Sequence, residues 1–256
     1  MGNKSKRVPR GKVPKKTVAL GYCHREDLSA YFHTSILALD RRERDRMGKV
    51  IAVLSGPKVD SARNEIFDRW LTETEDTHLL MVDTDQVIPV HTVQRLLDHD
   101  KDIVGGLAFS GRGTSGVTPA IRVITDTEQG PSIEPLWDYP TNALVQVAAI
   151  GAACMMVKRE VAEGVLAARG REHPMPWFAH GAHNGVEIGE DVAFCLTAGK
   201  VGYEVWVDTG LIIPHDKHRL VTDHEYVLSL SMDDHPYYDY REKVPIYQEL
   251  LDGEPS

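Results

Sequence analysis

Apolar and polar positions along the chain fall into short blocks whose period changes at regular intervals. Residues 15–23 (KKTVALGYC), 49–57 (KVIAVLSGP), 78–83 (HLLMVD) and 101–109 (KDIVGGLAF) are short, β-rich apolar runs. Continuous rather than alternating runs of this length predict strands buried on both faces. The segments between them carry helical signals. Residues 26–48 have acids at the start and Gly48 at the end. Residues 60–75 open on Asp60 as a candidate N-cap and place Ile66, Phe67, Trp70 and Leu71 on one stripe, and residues 89–100 form a third candidate helix. Strand and helix alternate, which predicts an α/β domain with a mostly parallel central sheet covered on both faces.

The second half has a different pattern. TPAIRVITD (118–126), IEPLWDY (133–139) and ALVQVAAIGAACMMVKR (143–159) read as extended segments of mixed or antiparallel character. A helix over 159–169 follows, then a loop rich in Pro, Gly and His (171–185), a helix over 189–202 and a strand over 203–210. Residues 232–256 are acidic and tyrosine-rich and read as a peripheral segment. No internal repeat interrupts this order.

Composition adds limits. The chain has 256 residues, of which 42% are hydrophobic and 26% charged, a globular composition. No run approaches the ~20 apolar residues of a membrane helix, and no apolar segment near the basic N-terminus reads as a signal peptide. Three cysteines, Cys23, Cys154 and Cys195, stand far apart, which fits a reducing, cytoplasmic setting without a disulfide framework. The formal charge of −9 is unevenly spread. Residues 1–16 hold seven Lys/Arg and no acid, so they read as a disordered basic tail, while the remaining body holds 22 basic against 38 acidic residues. Such a body is a poor general surface for nucleic acid, whose affinity comes mostly from phosphate contacts.

Three features carry chemistry. The first is Asp83-Thr84-Asp85, at the end of the third apolar run. Sheets of this class bind ligands beyond the carboxyl ends of their strands. Two hard oxygen ligands there suit Mg2+ or Mn2+ and, through it, a diphosphate; the plain alternative is a strand end with a turn-forming Asp. The second is Glu190-Asp191 after Gly189. Acids at a helix start are favoured by the helix dipole alone, and the same position offers a carboxylate able to take a proton from a hydroxyl nucleophile. The third is His215, after Pro214, with Lys217, His218 and Arg219 close behind, a cluster suited to phosphate oxygens. DTDQVI also fits the nucleophile motif of haloacid-dehalogenase-type phosphatases, although that motif normally follows the first strand rather than the third.

The ordered set SARNEIFDRWL (61–71), HLLMVDTDQVIP (78–89), DIVGGL (102–107), GAACMMVKRE (151–160), PWF (176–178), GEDVAFCLTAGKVGYEVWVDTG (189–210) and PH (214–215) resembles a GT-A-fold, family-2-like glycosyltransferase of the small bacterial and phage type, over roughly residues 17–218. The resemblance implies a Rossmann-like, nucleotide-diphospho-sugar transferase fold in one catalytic domain (17–231). Its nucleotide-binding half would be 17–109 and its acceptor-binding half 110–231. It implies a nucleotide-sugar donor, UDP-sugar before GDP-sugar, and Mn2+ or Mg2+. Asp83, Asp85 and His215 would hold the metal. Tyr22, Arg63, Thr84 and Lys217 would join the aspartates around the nucleotide. Asp191 would be the base of an inverting reaction, with Glu190 touching acceptor or sugar. Gly151 and Ala152 would flank the donor sugar, and Trp177 and Phe178 would be platforms for acceptor or sugar, the plain alternative being simple packing. The acceptor expected is a protein or glycan hydroxyl, with a modified DNA base as the alternative and a non-catalytic carbohydrate-binding module behind both.

Overall fold

The computed structural model describes residues 16–25, 28–56, 58–111, 116–128, 130–216, 220–221, 223 and 226. The basic tail apart from Lys16, the 232–256 segment, and Lys217, His218 and Arg219 lie outside the described residues, as do residues 112–115.

In chain order the elements are β1 (Val18–His24), α1 (Ala30–Glu43), β2 (Met47–Leu54), α2 (Val59–Glu73), β3 (His78–Asp83), α3 (Thr92–His99), β4 (Ile103–Gly111), β5 (Val117–Pro119), β6 (Ile121–Thr127), β7 (Gly130–Pro135), β8 (Leu144–Val147), β9 (Ala149–Ile150), β10 (Cys154–Lys158), α4 (Arg159–Arg169), β11 (Gly181–His183), β12 (Val186–Ile188), α5 (Glu190–Lys200), β13 (Val205–Ile213), β14 (His215–Asp216) and β15 (Leu220–Val221). The main sheet runs β2-β1-β3-β10-β4-β13-β8, with β5 paired to β4. Strands β1, β2 and β3 are mutually parallel, as are β4 and β13, and β10 lies antiparallel between β3 and β4. Five strands therefore point the same way, and β10 starts at the edge where they end. This is the α/β class with a mixed second half that the hydrophobic pattern implies.

Helix starts differ in detail from expectation. Helix α1 begins later, at the N-cap Ser29, whose Oγ accepts from the Phe32 N–H at 3.4 Å. Asp60 is not the cap of α2 but lies in its first turn, buried, where its Oδ1 accepts from the Ser61 N–H at 2.7 Å. An acid there still meets the unsatisfied amides and positive end of the helix.

The two faces of the sheet carry two apolar clusters. One joins Ile66, Phe67 and Trp70 of α2 to α4, α5 and the sheet; the other packs Phe32 and Leu39 of α1 with Val93, Leu96 and Leu97 of α3. Phe67 is the hub of an aromatic group, with ring centroids 5.0–5.7 Å from Trp70, Trp177, Phe178 and Phe194. Such edge-to-face and tilted pairs add to the burial itself.

Three small antiparallel units sit outside this frame among the described residues: the sheet β7-β6-β9, the hairpin β11–β12 and the short pair β14–β15. The second occupies the end of the segment expected to be loop. Asn184 and Gly185 take φ of 48° and 79° at its turn, the left-handed pair that a tight two-residue hairpin requires. No described helix is long and apolar enough to cross a membrane.

Candidate active site

The carboxyl edge of the main sheet collects the acids. Asp83 is the last residue of β3, level with Cys23 of β1, and its N–H donates to the Ala153 carbonyl at 3.2 Å. Arg63 reaches it from the inner face of α2. The guanidinium is 5% exposed; Nη2 donates to Asp83 Oδ1 at 2.7 Å, and Nη1 donates to Glu190 Oε1. Burial by itself lowers the Arg63 pKa, but the attraction of Asp83 and Glu190 outweighs it and raises the value. The buried cation is thus compensated from both sides, as such a charge must be. Beside it, burial pushes the Cys23 thiol up to about 12 despite the opposing pull of Arg63. A thiol of this kind stays protonated near neutrality and is no nucleophile.

Two residues beyond Asp83 a second contact forms. His215 Nε2 lies 2.8 Å from Asp85 Oδ2, while Nδ1 lies 2.9 Å from the Phe109 carbonyl. A carbonyl only accepts, so Nδ1 carries hydrogen and Nε2 is turned to the carboxylate. The backbone completes the arrangement: the Asp216 N–H donates to the Asp85 carbonyl at 2.7 Å, and Gln86 N–H to the Asp83 carbonyl at 3.2 Å. Ser29 Oγ donates to Asp216 Oδ2 at 2.6 Å, tying the start of α1 to the same corner. Thr84 sits half-buried in the turn between the aspartates.

The other acid pair opens α5. Glu190 is buried and turned inward to Arg63, with His180 Nε2 3.8 Å from its second oxygen. Asp191 is half-buried; its Oδ1 accepts from the Val192 N–H at 2.7 Å. It lines a cleft of about 680 Å³ together with Gly151, the β6–β7 hairpin and the β11–β12 hairpin. A Cβ on Gly151 would stand 3.3 Å from the Ala120 Cβ and 3.6 Å from Asp191 Oδ2. Glycine there keeps the floor of the cleft open beside the carboxylate. Ala152, next to it, is buried behind that floor.

Several expectations are corrected by these positions. Trp177 and Phe178 are 3% and 0% exposed, inside the aromatic core, so their rings offer no face to a sugar. Asn64, one residue after Arg63, holds them there: its Oδ1 accepts from both of their backbone N–H groups, at 3.0 and 3.3 Å, and Trp177 Nε1 donates to the Ala162 carbonyl at 2.8 Å. Glu190 braces Arg63 instead of standing on the cleft wall. Arg63 itself is occupied by two carboxylates and is a strut between them. Tyr22 packs edge-on against Phe32, centroids 5.3 Å apart, with part of its surface still open at the strand ends. Asn64 and the β11–β12 hairpin were not anticipated. Asn184-Gly185 was the available signal for the hairpin, whereas Asn64 had none beyond its place beside Arg63.

The residues fit a divalent cation in part. Among the described residues, no group of three or more His, Cys, Asp or Glu side chains is arranged around a common point. Asp85 and His215 form a carboxylate–imidazole pair, and the imidazole is oriented by a carbonyl on its other nitrogen, the usual support for a metal-ligating histidine. Asp83, expected as a third ligand, is turned to Arg63.

No protein-family model matches the chain, and no curated protein matches it. Among solved structures, A197 from STIV is similar over 82% of this chain and 91% of its own, with a TM-score of 0.53 and 17% identity. That is a likeness of fold. A glycosyltransferase involved in the glycosylation of the major capsid of PBCV-1 matches at a TM-score of 0.33 and 10% identity, over 61% of this chain and 68% of its own. S. aureus TarS 1-349 matches at 0.41 and 13%, over 75% of this chain and 58% of its own. At those scores the backbone likeness is too weak to bear on function.

Proposed function

We propose that the chain is a glycosyltransferase of the GT-A type that moves a sugar from a nucleotide-diphospho-sugar to an acceptor hydroxyl with inversion. The observation that carries this reading is the bridge made by Arg63. It brings Asp83 of the strand-end acid motif and Glu190 of the helix-start acid motif onto one guanidinium, although they lie far apart in sequence. Donor-side and acceptor-side acids therefore share one site, which the plain readings of either motif do not require.

In this mechanism the nucleotide lies over the carboxyl ends of β1 and β3, near Tyr22, with its diphosphate toward Asp85 and His215. These two residues would hold Mn2+ or Mg2+, and the cation when bound supplies charge neutralisation for the diphosphate. Arg63 fixes the Asp83 carboxylate and, through Glu190, the first turn of α5. This sets where Asp191 stands. Oδ1 of Asp191 is held by its own helix amide, so Oδ2, on the Gly151 side, takes the proton of the acceptor hydroxyl. The hydroxyl oxygen bonds to the anomeric carbon as the bond from that carbon to the phosphate oxygen breaks. Nucleoside diphosphate leaves, and the proton rests on Asp191.

The test is release of nucleoside diphosphate from a panel of UDP-sugars and GDP-mannose with Mn2+. The reading expects turnover with at least one donor in the wild type and none in Asp85→Ala. Turnover unchanged in Asp85→Ala, or absent with every donor, contradicts it.

A further inference from the structure

The cleft above Asp191 has a chemistry of its own. Its walls are the β6–β7 and β11–β12 hairpins, joined where Asn184 Nδ2 donates to the Pro131 carbonyl. Among its described lining residues the formal charges are those of Glu134, Glu187 and Asp191 against Arg122 alone. Arg122 Nη1 donates to the Pro119 and Ile121 carbonyls, at 3.0 and 3.1 Å. A phosphate-bearing polymer would meet a negative wall here and forgo the counterion release that drives its binding. No Phe, Tyr or Trp is among the described lining residues, so unstacked bases find no aromatic platform.

The edge of β7 also disfavours an extended peptide. Pro131 and Pro135 pair with Asp126 and Arg122 of β6. A proline has no N–H to exchange, so these are the positions whose backbone faces away from β6. Of the three outward positions, 131, 133 and 135, only Ile133 has a donor, and β7 is an edge strand. Strand addition needs that row of donors. What the cleft does offer is a set of compact hydrogen-bonding groups: the Glu134 and Glu187 carboxylates and Ser132 Oγ, which donates to Glu134 at 2.5 Å.

We infer that this cleft takes a carbohydrate without anionic groups as the acceptor, with one hydroxyl at Asp191 and neighbouring hydroxyls donating to Glu134 and Glu187. The role as acceptor rests on the glycosyltransferase reading; the binding does not. The volume suits a small ligand of this kind, since such sites span roughly 300–1,000 Å³.

Saturation-transfer NMR on the full chain tests it, with methyl glycosides of neutral and amino hexoses, neutral disaccharides, methyl glucuronides, a Ser/Thr peptide and a short single-stranded DNA. The expected result is binding of at least one neutral or amino saccharide, with the uronides weaker by about tenfold or more because carboxylate meets carboxylate. Glu134→Ala with Glu187→Ala should weaken that saccharide about tenfold. No saccharide binding, uronides or DNA bound as tightly as neutral sugars, or sugar transfer to the peptide with none to any saccharide overturns the inference. Saccharide binding without nucleotide release from any donor sinks the glycosyltransferase reading and keeps the carbohydrate cleft. Nucleotide release without saccharide binding does the reverse.

Discussion

The proposed donor side and the proposed acceptor side of the site are built by different means. On the donor side the acids come from the end of β3, a strand buried along its length, and each has a fixed partner: Arg63 for Asp83 and His215 for Asp85. On the acceptor side Asp191 is half-buried at a helix start and faces a cleft whose walls are hairpins outside the main sheet. In the proposed reading, geometry that must be held closely rests on packed strands and ion pairs, and recognition of the acceptor rests on short appended strands that can vary without disturbing the sheet. Arg63 touches both motifs, bonding Asp83 and Glu190, and in the proposed reading it transmits the position of one to the other.

Breaking the two sides separately should give different signatures. The largest effect is expected from Asp191→Asn: kcat for transfer falls by about 10²–10⁴-fold, the range for a lost general base, while donor affinity measured by calorimetry stays the same. A parallel fall in donor affinity would move Asp191 to the donor side. Next comes the strut. Arg63→Met leaves two carboxylates facing an apolar side chain and should cost ~3–5 kcal/mol in denaturant unfolding, the range for breaking a buried pair. Adding Glu190→Leu removes one of the stranded charges and should recover part of the loss; no recovery would show that Glu190 is not the partner that matters. His215→Ala should weaken Mn2+ by about tenfold or more, read by titration in the presence of donor, and leave carbohydrate binding in the cleft alone. The smallest effect is expected at the hairpin turn. Gly185 has φ of 79°, so Gly185→Ala should cost ~1 kcal/mol of stability and raise the KM for acceptor while the KM for donor holds.

Some of this was readable in the residues, for physical reasons. β3 has the bounds of its apolar run, because a strand buried on both faces must be apolar throughout and stops where the carboxylates begin. The helix over 159–169 likewise matches α4. The adjacent acids Glu190 and Asp191 show where reading stops. Successive helical residues point about 100° apart, so one of the pair had to turn inward, but only the position of Arg63 on α2 decides that it is Glu190. For Trp177 and Phe178 the packing alternative, not the platform one, holds, for a similar reason. Their Pro/His/Gly-rich surroundings look like an exposed loop, and the Asn64 side chain that satisfies their backbone lies 113 residues from Trp177 in sequence. The direction of β10 was also hidden, since a central strand is apolar whichever way it runs.

The central claim is that a nucleotide-sugar diphosphate binds at the Asp85–His215 corner. Thermal unfolding of the full chain with Mn2+ across a panel of nucleotide sugars tests it most directly, because a ligand that binds only the folded state raises the melting temperature by an amount that grows with the logarithm of its concentration over its Kd. The account predicts a rise with one donor nucleotide class, dependent on Mn2+ and lost in Asp85→Ala. A flat panel, or a rise that survives Asp85→Ala unchanged, would contradict it.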